Sequence, residues 1–216
     1  QPGQKISDLL VMYARRVGAL VGVSADAHLQ FFLPNYSQGP SYSIRYLRRG
    51  EGNNVLAARR VDSLSPMYTD VTVVAENPIY QIVRPDGVET FVPQFTKLYG
   101  KAKPEHWPPE TLALPFRRRA VFSDGEIVDK PSRRARWYQR RGLFDAHVLT
   151  YTVRGHHQGG LWWESDTMCD VQDEVSGVSG NYYVSAVQCA RDMESGDRTT
   201  VTLRRPGLLD EIPLDA

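Results

Sequence analysis

No apolar run in this sequence approaches the ~20 residues that a helix needs to cross a bilayer, which argues against a helical membrane anchor. The N-terminus also lacks the basic, apolar, small-residue order of a signal peptide. Cys169 and Cys189 are too few for a disulfide framework, and neither belongs to a CxxC pair, so reduced thiols are expected. Net charge is nearly absent as well, since 26 Lys and Arg face 25 Asp and Glu. That balance by itself favours neither a nucleic-acid binder nor a membrane-surface protein. The chain opens at Gln1 and enters a helical pattern almost at once, from which we expect an upstream segment.

What is present suffices for a folded protein: 216 residues, 41% hydrophobic, with room for one substantial core or two small domains. Charge is segregated along the chain. Residues 117–141 carry nine basic side chains against three acidic ones, and residues 161–197 carry eight acidic against one basic. An electrically two-sided surface is expected.

Ile6, Leu9, Leu10, Tyr13, Val17, Leu20 and Val21 recur at helical spacing, with Ser7 placed as N-cap and Gly22 as terminator. A short strand follows over 28–33 and ends before Pro34, so residues 1–50 read as a small α/β module. Beyond Asn54 the period becomes two, with Val71 and Val73 alternating with Asp70 and Thr72. The proline-rich stretch 77–115 reads as an insertion that lies against the body without extending its sheet. In the last third, Leu149, Tyr151 and Val153 alternate with Thr150, Thr152 and Arg154. Val201 and Leu203 alternate with Thr200, Thr202 and Arg204, and Tyr183, Val187 and Cys189 are expected on one strand face. A helix over about 132–146, N-capped by Ser132, precedes these strands. The pattern predicts a mainly β chain with α+β elements: an antiparallel β-barrel domain over 51–216 with one associated helix.

Candidate chemistry is sparse. His156 and His157 are adjacent and have no third ligand at a recognisable spacing, so no metal site is expected. Cys169 and Cys189 lack a nucleophile context and read as small buried side chains. Gly50-Glu51-Gly52 lacks the setting of a phosphate loop. No catalytic residue and no cofactor are expected. Arg133, Arg136 and Arg140 recur on one helix face. They can neutralise phosphates, but Trp137, Tyr138 and Phe144 are spaced as core anchors, and the acidic 161–197 stretch offers a partner. These arginines are therefore candidate protein-contact residues.

Several runs in fixed order point to a family. Gly50-Glu51-Gly52-Asn53-Asn54-Val55-Leu56, Tyr68 and Val71-Thr72-Val73-Val74 come first. Arg133-Arg134-Ala135-Arg136-Trp137, Tyr151-Thr152-Val153-Arg154-Gly155-His156, Leu161-Trp162 and Thr199 to Pro206 follow. Over about three quarters of the chain this order resembles the Mu-type baseplate hub family of contractile-tailed phages, related to late control protein D and to the hub-like part of VgrG. The 77–115 segment is longer than that family's linker, and its N-terminal barrel has no counterpart here. The resemblance implies a tail-tube-like barrel and an architectural role. It implies a homotrimeric hub joining the hexameric tail tube to the trimeric spike, contacting other baseplate proteins and lining the DNA channel without sequence-specific binding. Such a protein assembles in the host cytoplasm and resides in the virion. The alternatives are a hub-like spike component of a contractile secretion system, and a nucleic-acid-binding module using the arginine helix.

Overall fold

The computed structural model describes residues 6–16, 19–23, 28–83, 90–101, 119–124, 131–194 and 196–209. These fall into two compact units, one made of residues up to Pro66 together with those from Leu143 onward, the other of Met67–Gly142.

The first unit begins with α1 (Ile6–Arg16), β1 (Leu20–Val23) and β2 (Leu29–Phe32), the two strands forming an antiparallel hairpin. The helix is shorter than its apolar stripe. It starts at Ile6, which leaves Ser7 inside the first turn, and Leu20 and Val21 belong to β1. The Ala19 N–H closes the helix end on the Ala14 carbonyl at 2.8 Å. Valine and leucine at 20–21 satisfy strand spacing as readily as helical spacing, so periodicity alone did not place the break. A Cβ at Gly22 would stand 2.8 Å from the Phe32 ring, which would have to turn aside.

The same unit holds a six-stranded sheet in the order β3-β11-β12-β13-β8-β4. Its strands are β3 (Pro40–Tyr46), β4 (Val55–Asp62), β8 (His147–Arg154), β11 (Thr167–Asp173), β12 (Val178–Asp192) and β13 (Gly196–Arg204), while β9 (His157–Gln158) and β10 (Leu161–Trp162) pair with each other as a separate short hairpin. β3 therefore pairs inside the sheet that the sequence reading assigned to residues 51–216. Its ladder with β11 is parallel and every other pairing is antiparallel, so the sheet is mixed and not wholly antiparallel as expected. No ladder joins β3 to β4, and the expected barrel is not closed. The sheet nevertheless curls strongly. Arg60 on β4 donates from Nη1 to the Ser176 carbonyl in the turn after β11, at 3.2 Å. Between three and four strand intervals of about 4.8 Å each would separate those positions in a flat sheet.

The alternating residues line the concave core. Tyr42, Ile44, Leu149, Tyr151, Val153, Trp163, Cys169, Val171, Val184, Val201 and Leu203 form one buried cluster. One expectation fails within β12. The register with β13 shifts between Val184 and Ala186, making Ser185 an extra residue in a β-bulge. Parity resets there. Val184 joins the core cluster and Val187 packs against it, whereas Tyr183 sits on the other face against Tyr36 and Phe144. Cys189 is exposed rather than buried, and Cys169 is fully buried.

In the second unit, β5 (Asp70–Val83) pairs antiparallel with β6 (Thr90–Lys101) and parallel with β7 (Arg119–Asp124). The described parts of the expected 77–115 insertion, 77–83 and 90–101, thus continue the sheet, while residues 84–89 and 102–115 lie outside the described set. Pro78 and Pro93 stand within these strands. Past the Ala75–Asp124 pair β5 has β6 alone as its partner, and β6 has β5 alone among the described residues. A missing N–H can therefore face an open edge without removing a ladder bond. The helix α2 spans Pro131–Ala146, with Pro131 and not Ser132 at its start, where a proline's absent N–H costs nothing.

Candidate protein-contact surface

The arginine helix is built around a packed face. Ala135 is buried with Val71 and Val73, Tyr138 stacks on Phe122 at 4.1 Å, and Tyr68 meets Phe122 edge-on. The Gln139 amide donates to the Thr69 carbonyl at 3.1 Å, anchoring the helix to the chain that enters β5. Of the three candidates, Arg136 and Arg140 are half-buried, and the Arg133 side chain lies outside the described residues. The arginine that sequence reading passed over is Arg134. It is buried, with its guanidinium 5.1 Å from the Trp137 ring centre and 5.3 Å from that of Tyr138. These are the i+3 and i+4 neighbours that a helix stacks beneath a side chain, a spacing visible in the sequence.

The acidic stretch finds other arginines. Asp170 binds the Arg45 guanidinium at 2.5 Å, and Glu174 accepts from the Arg48 main chain at 3.1 Å and, through its carbonyl, from the Arg48 side chain. Both arginines belong to β3 or the turn after it, and nothing at the sequence level paired them with residues over 120 positions away.

His156 and His157 make different contacts. His156 Nδ1 lies 3.1 Å from the Thr199 hydroxyl, His157 is exposed, and no group of three potential ligands occurs among the described residues. The loop they open is pinned from within. The Tyr42 hydroxyl donates to the Trp162 carbonyl and accepts from the Glu164 N–H, while its ring stacks on Trp163 at 4.3 Å. Burial pushes the Tyr42 phenol above its ordinary value, so it stays protonated as that donor. At the loop's end Asp166 holds a left-handed φ of 61°. Its carboxylate accepts from the Asn35 N–H and the Tyr183 hydroxyl, which compensates that strained backbone.

The two edges of the large sheet differ in kind. On β3, the outward main-chain groups are occupied by side-chain amides. Gln158 accepts from the Ser43 N–H at 2.7 Å and donates to the Ser43 carbonyl at 2.8 Å. Asn54 accepts from the Arg45 N–H at 2.9 Å, donates to the Ser43 carbonyl at 2.7 Å, and closes its own N–H on the Arg45 carbonyl. Gly50 and Gly52, with φ near +79° and +78°, bend the chain so that Asn54 arrives there. On β4, every residue from Leu56 to Arg60 is exposed, and its described pairing is with β8 alone. An edge of this kind is a template for another strand.

Neither a protein-family model nor a curated protein sequence matches the chain. Solved structures do. A tail protein from Neisseria meningitidis MC58 superposes with a TM-score of 0.69 at 15% identity, over 97% of this chain and 57% of that one. The 43 kDa tail protein of prophage MuSo2 from Shewanella oneidensis gives 0.64 at 18% identity, over 97% of this chain and 56% of that one. The chain has the fold of these tail proteins. It spans a little over half of their length, so the comparison covers their shared part and leaves the remainder of each without a counterpart here.

Proposed function

We propose that this chain is a structural component of a phage tail and forms the hub of its baseplate, a homotrimer that adapts the hexameric tail tube to the trimeric spike and surrounds the DNA channel. The observation that carries the reading is the agreement of fold with two tail proteins over nearly the whole chain. The collinear motifs from Gly50 to Pro206 supply the narrower assignment to a hub. An architectural role also accords with where the polar chemistry goes, because the amides and carboxylates described above, with His156, are engaged in holding loops and edges. Arg136 and Arg140, with Arg133, are proposed to contact neighbouring tail proteins. The aromatic side chains that a nucleic-acid module would offer to bases are engaged elsewhere, Tyr138 on Phe122 and Trp137 beneath Arg134, which speaks against that alternative.

Light scattering on the protein as its gene encodes it tests the hub. A mass of three chains, alone or with tube and spike proteins present, is the expected result. A monomer under all of these conditions would remove the hub and leave only a tail-protein fold.

A further inference from the structure

The six-stranded sheet has an outer face that its own unit covers at one end. Leu149, Tyr151 and Val153 point into the core, so Thr150, Thr152 and Arg154 on β8 point outward. Residues directly opposite in an antiparallel ladder share a face, which adds Thr202, Thr200 and Arg198 from β13. By the same register β4 contributes Arg59 and Ala57, and β12 contributes Ala186, Gln188 and Ala190. Beyond Thr202 the face is covered by the end of α2, where Tyr183 packs near the Phe144 ring and Arg204 donates to the Phe144 carbonyl at 2.7 Å. At the positions before it every one of these side chains is exposed or half-buried.

The chemistry of this open part is one-sided. It carries three arginines and no carboxylate, and Asp192, which ends β12 on the same side, is turned to the Glu194 N–H at 3.0 Å. Arg154 and Arg198 are cross-strand partners, and like charges set directly opposite are unfavourable unless an anion lies between them. Among the described residues the Arg59 and Arg154 guanidinium groups have no hydrogen bond or ion pair. Next to the arginine pair the Thr152 and Thr200 hydroxyls lie 3.5 Å apart, and hydroxyls rotate to suit an acceptor. The open part has no aromatic ring to stack on a base, and no large apolar side chain to form the centre of a protein interface.

We propose that this face meets the phosphate backbone of duplex DNA, with Arg59, Arg154 and Arg198 pairing with phosphates and the threonine hydroxyls donating to them. Contacts of this kind carry no sequence information. The inference deepens the hub reading by naming the face that a hub turns to its channel, and it rests on that reading for the placement.

Fluorescence anisotropy with two labelled duplexes of unrelated sequence tests it. The chain is expected to bind both alike at low salt, with an affinity that falls as salt rises. Arg154→Gln and Arg59→Gln should each lower the slope of log affinity against log salt by about 1. Arg191→Gln should leave the slope unchanged, because Arg191 points to the other side of the sheet, where it pairs with Asp197. No binding at low salt would overturn the proposal, as would a slope that responds to Arg136→Gln or Arg140→Gln and not to Arg154→Gln. Tighter Arg154-dependent binding of labelled polyglutamate than of duplex would also overturn it, by assigning the face to an acidic protein. Light scattering separates the two readings. A trimer without Arg154-dependent DNA binding sinks this face and leaves the hub, whereas such binding by a chain that stays monomeric with tube and spike proteins present sinks the hub and leaves the DNA contact.

Discussion

The Tyr151 hydroxyl donates to the Asp173 carboxylate at 2.9 Å, with both residues buried. Tyr151 lies on β8 and Asp173 on β11, with β12 and β13 between them in the sheet. A flat sheet would hold these strands roughly 14 Å apart at about 4.8 Å per interval. The bond therefore spans the concave side of the curl and ties its two halves together. Asp173 also accepts from the Val175 and Ser176 N–H groups, which fixes the turn between β11 and β12. Burial, and then the Asp173 carboxylate, push the Tyr151 phenol well above its ordinary value, so it remains a donor at any pH the fold survives.

Tyr151→Phe should cost about 1.5–3 kcal/mol, because it removes a hydrogen bond to a charged group and leaves a carboxylate oxygen buried without that partner. Urea denaturation checks the figure. A change below about 0.5 kcal/mol would mean that the curl is held by apolar packing alone.

Acid should weaken the far end of β4. The Asp62 carboxyl is held below the usual range, chiefly by its 2.7 Å hydrogen bond with His147 and then by Arg60. A carboxyl with a lowered folded-state pKa stabilises the fold above its unfolded value of about 3.9, and that contribution is lost as pH falls through the lower folded value. Asp62 is well exposed, so screening limits the effect to about 0.2–1 kcal/mol. Asp62→Asn should be less stable than the parent at pH 6, and the difference should shrink below about pH 4. A difference that is constant, or that grows in acid, would contradict the assignment.

The two thiols should differ sharply in reactivity. Burial pushes the Cys169 thiol up to about 12, and its side chain is inaccessible, whereas Cys189 is exposed. Titration of the native chain with a thiol reagent near pH 8 should consume one equivalent, and the unfolded chain two. Two fast equivalents in the native state would show that the core around Ile44 and Val171 opens readily.

The legible parts of the fold were the strands whose two faces meet different surroundings. Leu149, Tyr151 and Val153 face the core while Thr150 and Thr152 do not, and simple alternation records this. It fails at Ser185, where one inserted residue moves Tyr183 to the other side of the sheet without changing composition. It fails again over Val55–Asp62, because an edge strand exposed on both faces has no pattern to display. Prolines at 78 and 93 concealed a long hairpin whose two strands each have an open edge at those positions among the described residues. Within the candidate surface, arginine spacing was visible, but spacing cannot say that Arg134 is the one drawn beneath aromatic rings. The amide caps on β3 depend on Asn54 and Gln158 arriving from loops and a short hairpin, an encounter that only the folded chain makes.

If the chain forms a baseplate hub, it sits at the base of a tail. The direct measurement is electron microscopy of purified particles labelled with gold-conjugated antibody raised against this chain. Gold confined to the distal end of the tail, on intact particles or on free tails, is the result expected. Gold on the head or along the tail shaft, or particles that carry none of this protein by mass spectrometry, would contradict it.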